Sequence, residues 1–325
     1  MTTSSPLGGA SVLVTGGTGS FGHAFVRRAL DDGASRIVIF SRDELKQAAM
    51  RSTFANDARL RFFIGCVRDA TRVRWAMRGV DILIHAAAMK RIEACASDPL
   101  EAVATNITGT ANVAQAAIRE GVPRAILLST DKAPAATTLY GATKFTAERL
   151  WIASTTYAAG TETKLSAVRY GNVLGSRGSV LDLWRSQFAN GERLTITDAK
   201  ATRFWMRLSQ AVDLVVLALD RMTGGETFIP KIGSAPILDL ARAVVEGNGI
   251  YAPGHIETGL RSGERLHETL IAEDELRNTF DAGEFFAICP EEVPLRYKDP
   301  RPKAAYRSDT NGNQLSVDDL RRMIA

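Results

Sequence analysis

Cysteine is scarce in this chain. Cys66, Cys95 and Cys289 are the only three among 325 residues, far apart and odd in number. That excludes a disulfide framework and fits a reducing cytoplasm. Neither they nor the four histidines stand at metal-ligand spacing, so no metal centre is expected. Long apolar runs are missing as well: nothing approaches the roughly 20 residues that span a bilayer. Residues 1–9 are polar and uncharged, unlike a secretion signal or an anchor. No block of one charge sign occurs. Lys and Arg number 40 against 36 Asp and Glu and are scattered along the chain, which argues against a nucleic-acid interface. The net charge of +4 suits anionic small molecules. Internal repeats and low-complexity segments are also absent.

What remains is an ordinary globular composition, 45 % hydrophobic and 23 % charged. The length allows one large α/β domain with a smaller lobe. Short apolar runs at 36–40, 60–64, 81–85 and 124–129 alternate with helical patterns near 43–55, 70–78, 99–120 and 140–158. Apolar strands separated by helices predict a doubly wound parallel sheet, whose ligands collect at the carboxyl ends of the strands. After Tyr170 the periodicity weakens. A helix near 209–222 and a strand at Thr227–Ile229 then return to the sheet. The expected division is a dinucleotide-binding domain over 8–170, completed by about 206–231. Residues 171–205 and 232–325 are expected to form an α-rich substrate lobe.

The first apolar run, Ser11-Val12-Leu13-Val14, leads into Thr15-Gly16-Gly17-Thr18-Gly19-Ser20-Phe21-Gly22 and then a helical pattern. Strand, glycine turn and helix in this order form a phosphate site. Gly16 permits the turn, Gly19 lets the backbone approach a pyrophosphate, and Gly22 lets the helix pack close to the strand. The alternative is a plain strand-to-helix turn. The second strand ends Phe40-Ser41-Arg42, with Lys46 one turn on, where NAD-binding folds carry an acidic residue. Two cations there favour NADP over NAD. They also fit a solvated helix start, with Asp43 as a favourable N-terminal charge.

Tyr140 and Lys144 are four residues apart, so on a helix they share a face. An ammonium beside the phenol favours the phenolate and makes the tyrosine a base; the bland reading is two residues on a helix surface. Ser129-Thr130-Asp131-Lys132 ends the preceding strand and would bring a carboxylate and a second ammonium to the same site, unless Asp131 and Lys132 are merely a loop ion pair.

These segments, with Ser41-Arg42-Asp43-Glu44-Leu45-Lys46-Gln47, Arg169-Tyr170-Gly171-Asn172-Val173, Thr202-Arg203-Phe204-Trp205, Ile229-Pro230-Lys231 and 261–268, resemble the extended short-chain dehydrogenase/reductases. Within them they resemble the inverting UDP-N-acetylglucosamine 4,6-dehydratases that begin pseudaminic acid synthesis. The resemblance covers roughly 10–290. It implies an NADP-dependent, redox-neutral lyase acting on a UDP-sugar in a homo-oligomer. Tyr140, helped by Lys144 and Thr130, would take the 4-OH proton. Lys132 would remove the C5 proton, and Asp131 would protonate the departing 6-OH. A lysine base must be neutral to act, so Lys144 or Lys90 and partial burial are expected to lower its pKa. The cofactor would lie against Gly16, Thr18, Gly19, Ser20, Phe21, Gly22, Ser41, Arg42, Lys46, Cys66, Val67, Ala87, Tyr140 and Lys144. The substrate would meet Lys90, Asn172, Arg203, Arg261 and Glu264. Arg203 and Arg261 also suit a diphosphate on chemical grounds, and Glu264 a ribose hydroxyl. Arg203-Phe204-Trp205 could instead form a packed cation–π corner. His85 and His267 are expected to be structural.

Three departures from the family pattern stand out. Cys66 replaces an aspartate that contacts adenine in relatives. The segment 91–96 lacks the usual proline and glutamate arrangement, and the loop 133–138 lacks an Asn-Pro. The last two would face the sugar, which keeps a different UDP-hexose open. A UDP-sugar 4-epimerase, which needs no Asp-Lys pair, is the rival enzyme. A silent NADP-sensing protein of the same fold would be expected to lose Tyr140 or Lys144.

Overall fold

A computed structural model describes residues 5–246, 254–290 and 300–324. Parts of the expected N-terminal segment and substrate lobe, residues 1–4, 247–253, 291–299 and 325, lie outside the described residues. Seven strands are parallel: β1 (Ser11–Thr15), β2 (Arg36–Ser41), β3 (Leu60–Ile64), β4 (Ile82–His85), β5 (Arg124–Thr130), β6 (Lys164–Tyr170) and, past three short strands, β10 (Thr227–Pro230). The short strands are β7 (Asn172–Val173), β8 (Leu194–Ile196) and β9 (Thr202–Met206). The sheet runs β3-β2-β1-β4-β5-β6-β10, and its order reverses between β1 and β4. A crevice opens at such a reversal, outside the strand ends.

Both sheet faces are covered. Helices α1 (Ser20–Asp31) and α9 (Leu208–Arg221) pack on one face, burying Phe25, Val26, Val212 and Val215 against Val12, Val14 and Ile126. The other face is covered by α3 (Ala70–Met77), α6 (Gly109–Arg119) and α7 (Leu139–Ala153), which bury Val73, Val113 and Trp151 against Leu13, Leu83 and Leu127. Each fully buried large apolar side chain contributes about 1.5–3 kcal/mol. Helix α2 (Glu44–Thr53) starts on Asp43, whose side chain accepts from the Lys46 amide.

The chain departs from expectation in two places. The helix expected over 99–120 is broken into α5 (Pro99–Val103), a π turn at Ala104–Thr108, and α6, and a separate short helix, α4 (Ile92–Ser97), precedes it. The π turn carries buried Asn106, whose amide donates to the Met89 carbonyl and to Thr143 Oγ1, each at 3.0 Å. A wide turn placed where one side chain must meet two segments is a recurrent use of π geometry. The second departure is the C-terminal part, which holds more strand than expected.

That part contains β11 (Ser234–Pro236), α10 (Ile237–Glu246), β12 (His255–Glu257), β13 (Thr269–Ile271), β14 (Thr279–Asp281), β15 (Phe285–Ile288), β16 (Tyr306–Arg307) and α11 (Val317–Ile324). Strands β15 and β14 add antiparallel to the edge at β10, so residues 279–288 belong to the main sheet. Of the remaining pieces, β11, α10 and α11 join α8 (Val180–Ala189) around Trp184, Trp205, Leu240 and Val244, while β13 and β16 pack with Phe204 and Met206. No described helix is long and apolar enough to cross a membrane.

Gly22 meets the backbone of Gly17, and a Cβ there would collide with that carbonyl. Alanine favours a helix over glycine by about 1 kcal/mol, yet the collision opposes backbone against backbone and has no flexible partner to yield. Gly22→Ala is therefore expected to destabilise the protein by about 2 kcal/mol or more. Urea unfolding midpoints of the two proteins measure this.

Candidate active site

Helix α1 begins at Ser20 with Gly19 as its N-cap and no side-chain cap, so its first amide groups stay free for an anion. Gly16 has φ +67, and a Cβ on it would strike the backbone of Ala86 and Ala87. This loop forms one wall of a cavity of about 640 Å³ at the sheet's order reversal. Every residue expected at the dinucleotide lines it: Gly16, Thr18, Gly19, Ser20, Phe21, Gly22, Ser41, Arg42, Lys46, Cys66, Val67, Ala87, Tyr140 and Lys144. Thr130, Lys132, Lys90 and Asn172 line it too. A free helix terminus, a side-chain-free loop and flanking cations fit a dinucleotide.

The cations at the end of β2 are ion-paired. Lys46 Nζ lies 2.9 Å from Asp43, and Arg42 faces Glu101 at 3.5 Å. Glu101 also takes Arg68, at 2.5 Å, and Arg68 Nε donates to Cys66 Sγ at 2.9 Å. The cysteine that replaces the family aspartate is thus tied to an arginine. Lys90 donates to the Arg177 carbonyl at 2.9 Å, and the Arg177 amide to Ser20 Oγ at 3.0 Å.

The reacting groups stand at the end of β5 and the first turn of α7, which Thr138 caps by accepting from the Gly141 amide. Asp131 is 1 % exposed. Its Oδ1 accepts from Thr130 and from Lys132 Nζ, each at 3.0 Å, whereas Oδ2 is buried with no partner. Burial first, and Glu268 with it, push this carboxyl up against the pull of Lys132.

Two expectations are corrected here. Lys132 was expected to be lowered by burial and by Lys144 or Lys90. Burial does pull it down, but Asp131 and Glu268 (at 3.1 Å) outweigh that, and its pKa is raised. Lys90 and Lys144 are engaged elsewhere, the latter on the Leu128 carbonyl at 2.7 Å. The Tyr140 phenol was expected to be eased toward phenolate by Lys144. Instead burial pushes it up to about 12, with Lys132 and a hydrogen bond to Thr130 opposing. Burial lowers Lys144 itself to about 8, against Glu148.

A smaller cavity of about 170 Å³ continues from Lys132 and Asn172 and holds Arg203, Arg261 and Glu264. Arg203 donates to Glu264 at 2.8 Å and to the Leu266 carbonyl at 2.9 Å, which favours an anion-facing role over a cation–π corner. Arg261 pairs with Glu93 of α4 at 2.7 Å. His85 is buried between Thr15 and Thr110, and burial lowers it to about 3. His267 bonds Thr202 at 2.8 Å. Both are structural.

Two groups escaped the reading of the sequence. Glu268 was seen only within a matching segment, because a lone carboxylate far along the chain carries no local signal. Arg169, with no exposed surface, binds Glu148 of α7 and, at 2.7 Å, Glu275. A buried arginine inside an apolar strand was the available clue.

Residues 12–290 match a family described as polysaccharide biosynthesis proteins. The chain belongs to this family, among the extended short-chain dehydrogenase/reductases. It is 44 % identical over 284 residues to a Campylobacter jejuni UDP-N-acetylglucosamine 4,6-dehydratase (inverting), covering 87 % of this chain and 83 % of that one. It is 37 % identical to a UDP-glucose 4-epimerase of Rickettsia akari, over 97 % and 95 % of the two chains. Pen from Bacillus thuringiensis superposes with a TM-score of 0.90 at 36 % identity, over 98 % of each chain.

In this family member Arg169 joins three segments of the site. Arg169→Met would leave Glu148 buried without its cation and Glu275 with Arg149 alone. A loss of about 3–5 kcal/mol is expected, read as the shift in the denaturant midpoint.

Proposed function

We propose that the protein is an NADP-dependent UDP-N-acetylglucosamine 4,6-dehydratase that inverts C5. The observation carrying this reading is the buried Asp131–Lys132 pair near Tyr140, whose Lys132 lines both a dinucleotide-sized cavity and an arginine-lined one, with Asp131 directly behind it. The 44 % identity to an inverting dehydratase supports it. In this reading the segments that carry Arg203, Arg261, Glu264 and Asn172, outside the main sheet, hold the UDP moiety, and Lys90 meets the sugar. The bound nicotinamide supplies a reversible hydride acceptor, which leaves the sugar oxidised at C4 and finally reduced at C6.

Tyr140 takes the proton of the 4-OH, with Thr130 bonded to its oxygen and Lys144 alongside. The 4-ketone makes the C5 proton acidic. Lys132 removes that proton, and Asp131 gives its own to the departing 6-oxygen, so water leaves across C5–C6. Reprotonation of C5 from the other face inverts it. Lys132→Ala is expected to abolish exchange of the C5 hydrogen with deuterated water while NADP still binds. Normal exchange in this variant would remove Lys132 as the base.

Arg42 supports the phosphorylated cofactor. Arg42→Ala is expected to weaken NADP binding about tenfold to a hundredfold, the worth of one or two hydrogen bonds to a charged group, and to leave NAD unaffected; calorimetric titration reads both.

The 4-epimerase reading has its own support in the Rickettsia relative, which matches over almost the whole chain. A panel of UDP-hexoses analysed by mass separates the two. The dehydratase product is lighter by one water, whereas an epimer keeps the substrate's mass.

A further inference from the structure

Glu268 is 2 % exposed and lies one residue before β13. Its backbone is pinned on both sides: its amide donates to Ser308 Oγ, and its carbonyl accepts from the Ser308 amide, each at 2.9 Å. The side chain reaches the reacting pair from the side opposite β5. Oε1 stands 3.1 Å from Lys132 Nζ, and Oε2 is buried with no hydrogen-bond partner. Arg203 of β9 lies 3.7 Å away and Arg265 3.8 Å away. Asp131 and Lys132 face it from the end of β5, and Tyr140 stands beyond them on α7. Glu264 is occupied by Arg203, and the His267 ring is turned to Thr202 and Asp309.

The proton count at this site is uneven. Burial pushes the Asp131 carboxyl toward its protonated form, which is the form an acid needs. Lys132 is held as an ammonium, which is the wrong form for a base. Its proton must leave before C5 can be attacked, and a protonated Asp131 has no room for it. Resting on the dehydratase reading, we propose that Glu268 is the positioning carboxylate of Lys132, holding its ammonium and taking its proton when the substrate is in place. The N–H bond of Lys132 breaks as an O–H bond forms on Glu268. The freed amine then takes the C5 proton and passes it to Asp131, which lost its own to the leaving oxygen, and Glu268 returns the borrowed proton to Lys132, so the site ends as it began. The exchange is internal, so the solution pH does not enter it. Glu268 touches no reacting carbon and acts through Lys132.

The test compares wild type with Glu268→Gln and Glu268→Asp, reading the turnover number for UDP-N-acetylglucosamine dehydration by mass between pH 6 and 9. Wild type is expected to be nearly flat. In Glu268→Gln the Lys132 proton must go to water, so the rate should climb toward tenfold per pH unit on the acid side. Loss of the negative charge also lets Asp131 ionise earlier, so the alkaline limb should fall sooner. Glu268→Asp keeps a carboxylate and should restore the flat acid side at a reduced rate, which also separates this role from a folding defect. A Glu268→Gln profile that parallels wild type at any height would overturn the assignment. If wild type itself releases no product lighter by water, the dehydratase reading fails instead, and the two failures are distinct.

Discussion

Arg169 sits on a central strand with its guanidinium wholly inside the protein, between Glu148 of α7 and Glu275 of the segment after β13. A charge so placed is tolerable only while both carboxylates stay in reach, since removing one partner leaves a buried charge at a cost of several kcal/mol. The arrangement therefore fixes three pieces at once. Strand β6 pairs with β5, which ends in Thr130 and continues into Asp131 and Lys132. Helix α7 carries Tyr140 and Lys144. The segment from β13 to Glu275 directly follows Glu268. The reacting groups come from distant parts of the chain, and this ion cluster sets their separation. Arg149 extends it with a further contact to Glu275 at 2.9 Å.

The same low-dielectric surroundings act in opposite directions on neighbouring groups. Asp131, Tyr140 and Lys144 are all dominated by burial, which disfavours their charged forms. Lys132 is the exception, because two carboxylates within 3.1 Å outweigh its burial. The charge kept on Lys132 is a pre-set imbalance. It gives the lysine a fixed place and leaves a proton to be disposed of before chemistry starts.

The sheet was readable because most strands are short apolar runs whose partners follow from the βαβ rule; β1 to β5 and β10 match the sequence reading within a residue or so at each end, whereas β6 (Lys164–Tyr170), interrupted by Ser166 and Arg169, was not read as a strand. The glycine loop was readable because its requirement is local: φ +67 at Gly16 and the closeness of Gly22 to Gly17 follow from missing side chains. The break in 99–120 was not, because a π turn leaves no mark on hydrophobic spacing, and its cause is a distant contact of Asn106 with Met89 and Thr143. Strands β14 and β15 were hidden for a similar reason, as β15, which carries β14, is placed by pairing with β10 from a distant part of the chain. The charge states of Lys132 and Tyr140 were misjudged because the deciding groups, Glu268 and the extent of burial, are not neighbours in sequence.

The departures from the family pattern are physically linked. Thr137, in the altered loop 133–138, donates to the Gly263 carbonyl at 2.6 Å, and Gly263 keeps φ +75 where a Cβ would strike the Thr137 carbonyl. Glu93, in the altered segment 91–96, holds Arg261 at 2.7 Å, and Ile92 beside it lines the arginine-bearing cavity. Both altered segments thus pack on the same strap, 261–265, which carries two of the four polar side chains expected at the nucleotide. A change in one segment cannot be absorbed by that segment alone. It moves Arg261 or Glu264 and, through the bond of Glu264 to Arg203, the cation beside Glu268. Selection for a different sugar would therefore reach the charge balance at Lys132 through the same few contacts that shape the pocket.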